Sequence, residues 1–170
     1  MMLAPRVELS GTLGTLDAGA AGVHQTLAIM RRMVREFKTD LGMRNAATTA
    51  IYLTPERAEL HEVTALYELV RDTVRYVRDV SDVETLMTPD KTLALRLGDC
   101  DDQTVLLATL LESVGYPTRF VAAGYQFPGE LEHVYLQVFA GGAWVDLDPT
   151  EREYFGWAPP DPVAVFIERV

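Results

Sequence analysis

The sequence predicts an α+β fold, and three observations carry that reading. Apolar residues recur every three or four positions through the first half of the chain. A helical stretch around Val105–Leu111 is too apolar for a surface helix and suits the centre of a domain. Beyond it, His133–Phe139 alternates with a period of two and runs into Gly141-Gly142, so helices are followed by antiparallel sheet. At 170 residues, with 48% hydrophobic and 24% charged residues, the chain has ordinary globular proportions. A chain of this size buries roughly 70% of its unfolded surface and needs no disulfide or metal to hold it.

Residues 1–17 mix Ser10, Gly11 and Gly14 with Thr and Leu and lack helical periodicity. They are expected to form an arm, either a tail or an edge strand that docks on a protein partner, ahead of a single domain over 18–170. From about Gly22, the residues Val23, Leu27, Met30, Val34, Phe37 and Leu41 form one apolar stripe, with Arg31, Arg32, Arg35 and Lys38 between them: an amphipathic helix. Asn45–Leu53 reads as a shorter helix. Thr54-Pro55 reads as the next helix start, with Thr54 as N-cap and Pro55 in the first turn. Leu60, Val63, Leu66, Val70, Val74 and Val77 then line one face, and Arg71, Arg75 and Arg78 the other. Residues 81–97, with Pro89, read as an irregular connector. Asp101–Val114 is the central helix, stopped by Gly115-Tyr116-Pro117. Arg119–Ala123, His133–Phe139 and Ala143–Asp148 are the expected strands.

The one cysteine, Cys100, falls where connector becomes central helix. A thiol at a helix start feels the positive dipole end, which favours thiolate; a lone cysteine also serves as a small buried apolar residue. Asp99, Asp101 and Asp102 suit a helix N-terminus but raise a neighbouring thiol's pKa, so a nucleophilic Cys100 requires a cation nearby. His24 and His61 sit among charged neighbours on helices and read as surface residues. His133 opens a strand. With Gly141-Gly142 as a two-residue loop, paired positions place Asp146 opposite Gln137 and Asp148 opposite Tyr135. Asp148 is then one diagonal step from His133, about 7–8 Å at the backbone, and Asp146 is two steps away. Asp148-Pro149 read by itself is also an ordinary turn start. Together the three types form a Cys-His-Asp arrangement: thiolate attacks a carbonyl, imidazolium protonates the leaving group, carboxylate orients the ring.

Gly98-Asp99-Cys100-Asp101-Asp102, the Leu-rich helix ending Val114-Gly115-Tyr116-Pro117-Thr118-Arg119, His133-Val134-Tyr135 and Trp144-Val145-Asp146-Leu147-Asp148-Pro149-Thr150 resemble the transglutaminase-like superfamily over residues 55–157. The resemblance implies a papain-like fold, with Cys100 as nucleophile, His133 as acid/base and Asp148 as orienting carboxylate. It implies a peptide or protein amide substrate. The duplicated aspartates and the segment Phe155–Pro160 are similar to small members encoded by tailed bacteriophages and prophages. Such sites take a second oxyanion donor from an upstream Gln or aromatic, and none stands between Val83 and Leu97; Thr88, Thr92, Arg96 or a backbone amide are the alternatives.

Other classes are disfavoured. The 15 basic and 25 acidic residues give −10, which repels nucleic acid and anionic membranes. Gly11-Thr12-Leu13-Gly14 lacks the Lys-Ser/Thr of a phosphate loop, and one cysteine with scattered histidines makes no familiar zinc site. The three aspartates have the chemistry to chelate calcium, but helix capping is the preferred use, so no metal or cofactor is expected. The absence of a signal-like start and the single cysteine suit a cytoplasmic protein, or a virion if phage-encoded. The expected function is cysteine-dependent acyl transfer on amides, hydrolysis ahead of amine transfer. A catalytically silent assembly module, such as a phage tail component, and a peptide-binding chaperone-like module are the alternatives.

Overall fold

The computed structural model describes residues 19–78, 85–127 and 130–170. In chain order the elements are α1 (Ala20–Phe37), α2 (Leu41–Ile51), α3 (Glu59–Thr73), β1 (Arg75–Tyr76), α4 (Pro89–Leu95), β2 (Leu97–Gly98), α5 (Cys100–Ser113), β3 (Thr118–Gly124), β4 (His133–Ala140), β5 (Ala143–Leu147) and β6 (Ala164–Arg169). The expected arm, residues 1–17, lies outside the described residues.

Helix α5 is the centre. Every residue from Asp102 to Leu111 is buried, which is why Val105, Leu106, Leu107, Leu110 and Leu111 leave no charged face. Helices α1–α4 and strands β3 and β4 all pack against it. Met30, Val34, Val63, Leu66 and Val70 join Val105–Leu111, Phe120, Leu136 and Val138 in one core. The α1 stripe thus does what its spacing predicts. Arg31 of α1 pairs with Glu168 of β6, and Lys38 with Glu112 of α5 at 3.2 Å, tying the helix to both layers.

The main sheet is antiparallel throughout, in the order β5-β4-β3-β6. Gly141 and Gly142 have φ of 62° and 83°, the left-handed pair that a two-residue primed turn requires. Ala140 therefore pairs with Ala143 and Gln137 with Asp146, the register expected from the glycines. Strand β6 was not among the expected strands. Its Val165 and Ile167 remain half exposed on the outer sheet face, and only pairing with β3 makes it a strand.

Four local readings are corrected. Leu41 does not belong to the α1 stripe: Asp40 interrupts it, accepting from the Met43 amide as N-cap of α2, and Leu41 is 70% exposed. Thr54-Pro55 does not start α3. The Thr54 hydroxyl donates back to the Ile51 carbonyl at 2.7 Å, closing the end of α2, and Arg57 with φ of 58° breaks the chain before Glu59. The same helix stops at Thr73, so Arg75 lies in β1, Val77 is largely exposed and Leu60 faces outward. The connector is also less irregular than expected: Pro89 is the first residue of α4, a position where its missing N–H costs nothing. Residues 79–84 lie outside the described residues.

Candidate active site

The site begins with two very short strands. Parallel pairing sets Arg75 beside Leu97 and Tyr76 beside Gly98, with the Val77 amide donating to the Gly98 carbonyl at 3.1 Å. Gln103, almost wholly buried one turn into α5, donates its amide to that same carbonyl at 3.0 Å. Gly98 has no room for a side chain: a Cβ would lie 2.7 Å from the Asp102 Cβ. The buried Asp102 carboxylate in turn accepts from the Met87 amide at 2.7 Å and ties in the chain leading to α4.

Asp99 caps α5, accepting from the Asp101 and Asp102 amides, and Cys100 is the first helical residue. Thr104, one turn on, donates to the Val134 carbonyl at 3.3 Å and fixes the cysteine helix against the strand that His133 begins. His133 Nε2 lies 2.7 Å from Asp148 Oδ2. Asp148, just past β5, is fully buried; its Oδ1 accepts from the Thr150 amide at 3.0 Å and hydroxyl at 2.6 Å. Its backbone carbonyl accepts from the Tyr67 hydroxyl. The structure thus brings His133 and Asp148 into direct contact. Among the described residues, His133 Nδ1 has no hydrogen-bond partner, and Tyr135 stacks beside the ring at 6.2 Å.

The thiol is oriented differently. Cys100 Sγ lies 3.8 Å from Asp101 Oδ1 and makes no hydrogen bond to His133. Burial pushes its pKa up, the Asp101 and Asp99 carboxylates push it further, and the Val134 amide opposes them. Thr88 and Thr92 serve the first turn of α4, where the Thr92 hydroxyl donates to the Thr88 carbonyl, and Arg96 is its left-handed C-cap. His24 packs edge-on against Phe166, and His61 is exposed on α3. Sequence reasoning missed Tyr76 and Gln103. Burial, above all, raises the Tyr76 hydroxyl, with smaller contributions from Cys100 and Asp99, and its position depends on a pairing of two-residue strands that no periodicity announces.

A cavity of about 440 Å³ lies between Glu112, Thr118, Phe139, Trp144 and Arg169. Phe139 is six residues along β4 from His133, roughly 20 Å, so this cavity is remote from the paired His and Asp. Among the described residues no group of three or more His, Cys, Asp or Glu side chains is arranged to hold a metal, and no helix is long and apolar enough to cross a membrane.

Burial also raises the hydroxyls of Tyr67, Tyr116, Tyr125 and Tyr135, the last to about 12. Acids raised on folding hold their stabilising contribution below their unfolded values and lose it as pH climbs toward their folded ones. The urea midpoint should therefore fall progressively above pH ~8.5, where an unfolded thiol begins to ionise, and faster above ~10. Cys100→Ala should flatten the first part of that fall; a midpoint constant from pH 7 to 11 would contradict the assignment.

A helix carrying cysteine at its first position, laid on an antiparallel sheet with a paired His and Asp at one end, defines the papain-like α+β class. The sequence profile of the transglutaminase-like superfamily matches residues 46–149, more than half of the chain, and the chain belongs to that superfamily. Among solved structures it is similar to a candidate cysteine protease from Cytophaga hutchinsonii, at 16% identity and a TM-score of 0.54, covering 72% of this chain and 42% of that one. A candidate protease from Parabacteroides distasonis gives 11% identity and a TM-score of 0.62, covering 85% and 28%. Calcium-bound LapG from Legionella pneumophila gives 18% and 0.52, covering 84% and 87%. The chain thus spans less than half the length of the first two. No curated protein matches it in sequence.

Proposed function

We propose that the protein carries out cysteine-dependent acyl transfer on peptide or protein amides, with Cys100 as nucleophile, His133 as acid/base and Asp148 as the carboxylate that orients it. One observation carries this reading. Asp148 binds Nε2 of His133, leaving Nδ1 for a thiol, on the strand against which the cysteine helix is fixed. A rotation of the Cys100 side chain away from Asp101 is the adjustment the chemistry asks for. Hydrolysis is favoured over amine transfer, and a cytoplasmic setting, or a phage virion, suits the single cysteine.

Casein incubated with and without dansylcadaverine separates the two outcomes. Peptide release without dansyl incorporation, lost in Cys100→Ala, is expected. Dansyl incorporation outrunning release would make the protein a transamidating enzyme, and neither product would overturn the reading. A second reading is favoured by the thiol itself, which faces Asp101 and is held protonated. On that reading the domain is a silent assembly module, such as a phage tail component, and Cys100→Ala leaves its partner binding intact.

A further inference from the structure

We propose that Tyr67 is a positioning residue for His133: its buried hydroxyl holds the turn that carries Asp148, and so sets where the carboxylate meets the imidazole; this rests on the function proposed above. The pairing of β4 with β5 ends at Leu136 and Leu147, so Asp148 and the residues after it lie beyond the last rung of the sheet. Inside that turn the Thr150 amide and hydroxyl bind the Asp148 carboxylate. Those bonds shape the turn but do not fix it to the rest of the fold.

Tyr67 supplies that anchor. It stands in the middle of α3, buried within the core. Its hydroxyl has one proton and two carbonyls within reach, Asp148 at 3.1 Å and Glu153 at 3.3 Å, so one donor closes on both ends of the 148–153 segment. Arg71, one turn along α3, donates from Nη1 to the same Glu153 carbonyl at 3.4 Å and sets its guanidinium 5.2 Å over the Tyr67 ring. Phe155, just beyond, packs edge-on against that ring with centroids 6.3 Å apart. Burial, opposed by Arg71, raises the hydroxyl's pKa, so at neutral pH it keeps its proton and donates. Because α3 packs on both α5 and β4, the anchor ties Asp148 to the helix of Cys100 and to the strand of His133 alike.

A carboxylate held at Nε2 keeps the ring proton there and leaves the Nδ1 pair free to take the Cys100 proton. A turn that drifts by about 1 Å weakens that hold, and a misplacement of this size costs on the order of 10²-fold in rate. The acylation of Cys100 by p-nitrophenyl acetate exposes the loss. Sγ bonds to the acetyl carbon, its proton passes to His133 Nδ1, and p-nitrophenolate leaves with the electron pair of the broken C–O bond.

Tyr67→Phe keeps the ring and removes the hydroxyl alone. Tyr116→Phe is the control, because its hydroxyl donates to Glu62 of the same helix at 2.6 Å and joins α3 to the end of α5 rather than to the Asp148 turn. Both are read by nitrophenol release and by the downfield ¹H NMR signal of an imidazole N–H bonded to carboxylate, assigned through its absence in His133→Ala. Tyr67→Phe should lose that signal and slow acylation about 10–100-fold, and Tyr116→Phe should keep both. Survival of either the signal or the rate in Tyr67→Phe would overturn the proposal, as would a wild-type spectrum without the signal. Equal losses in Tyr116→Phe would overturn it too, since they mark a general cost in stability. If wild type releases no more nitrophenol than Cys100→Ala, the proposed function falls; the signal then decides on Tyr67 by itself, its loss in Tyr67→Phe upholding the anchor and its retention overturning it.

Discussion

Replacing His133 by alanine is expected to slow acylation of Cys100 by p-nitrophenyl acetate about 10²–10⁴-fold at neutral pH, the range that a positioned acid/base supplies. The effect should be at the upper end because nothing else in the site favours thiolate strongly. Burial and two aspartates raise the thiol's pKa, and the Val134 and Asp101 backbone amides oppose them without prevailing. The dipole of α5 is offset by the carboxylates of its own first turn. The pH profile gives the sign: in His133→Ala the thiol titrates by itself, so alkylation by iodoacetamide should keep climbing past pH 9. Wild type should level off earlier, because the imidazole takes the proton. Asp101→Asn, which removes the largest charged contributor, should raise neutral-pH alkylation in both backgrounds. Alkylation rates indifferent to His133 would mean that the aspartates dominate and that the silent-module reading holds.

The second large effect concerns Asp148. Alanine there should cost about 3–5 kcal/mol of stability, the range for breaking a buried hydrogen-bond network and leaving several of its donors unpaired. Its loss strands the Thr150 amide and hydroxyl together with His133 Nε2 around a fully buried hole. A protein of this size loses roughly 2–4 °C of melting temperature per kcal/mol, so a drop of about 10 °C is expected. Asp148→Asn separates fold from chemistry. The amide oxygen still serves Thr150, so most of the stability should return. Its NH₂ cannot accept from Nε2–H, however, so the ring loses the tautomer that presents Nδ1 as a base, and acylation should remain down by about 10³–10⁴. Urea unfolding and nitrophenol release, run on both variants, read the two effects apart. Recovery of acylation in the asparagine variant would assign Asp148 a purely structural role.

The features legible in the sequence are those set by neighbours along the chain. The run Val105, Leu106, Leu107, Leu110 and Leu111 in α5 announced a helix covered on every side, because an exposed face there would have carried charge. Two adjacent glycines set the β4–β5 register, since only glycine takes positive φ without cost at both turn positions, and that register brought Asp148 rather than Asp146 toward His133. The place of Cys100 at a helix start followed from Gly98, from Asp99 as cap, and from the apolar run behind them. What escaped depended on partners far away in the chain. The α2–α3 boundary was misread because Thr54 and Pro55 suit a helix start and a turn equally, and the hydrogen bond to Ile51 decided between them.

By itself, then, the sequence determined the helix-then-sheet order, the hairpin register and the residue types gathered at one end of the sheet, all through periodicity and turn chemistry acting over a few residues. Only the tertiary structure decided three further matters: that β6 completes the sheet beside β3, that Tyr76 stands next to Gly98, and that the resting thiol faces Asp101 instead of His133. Each of these rests on pairing or packing between segments whose local sequence permits several partners, so the choice is made by which arrangement covers α5 and satisfies the backbone together.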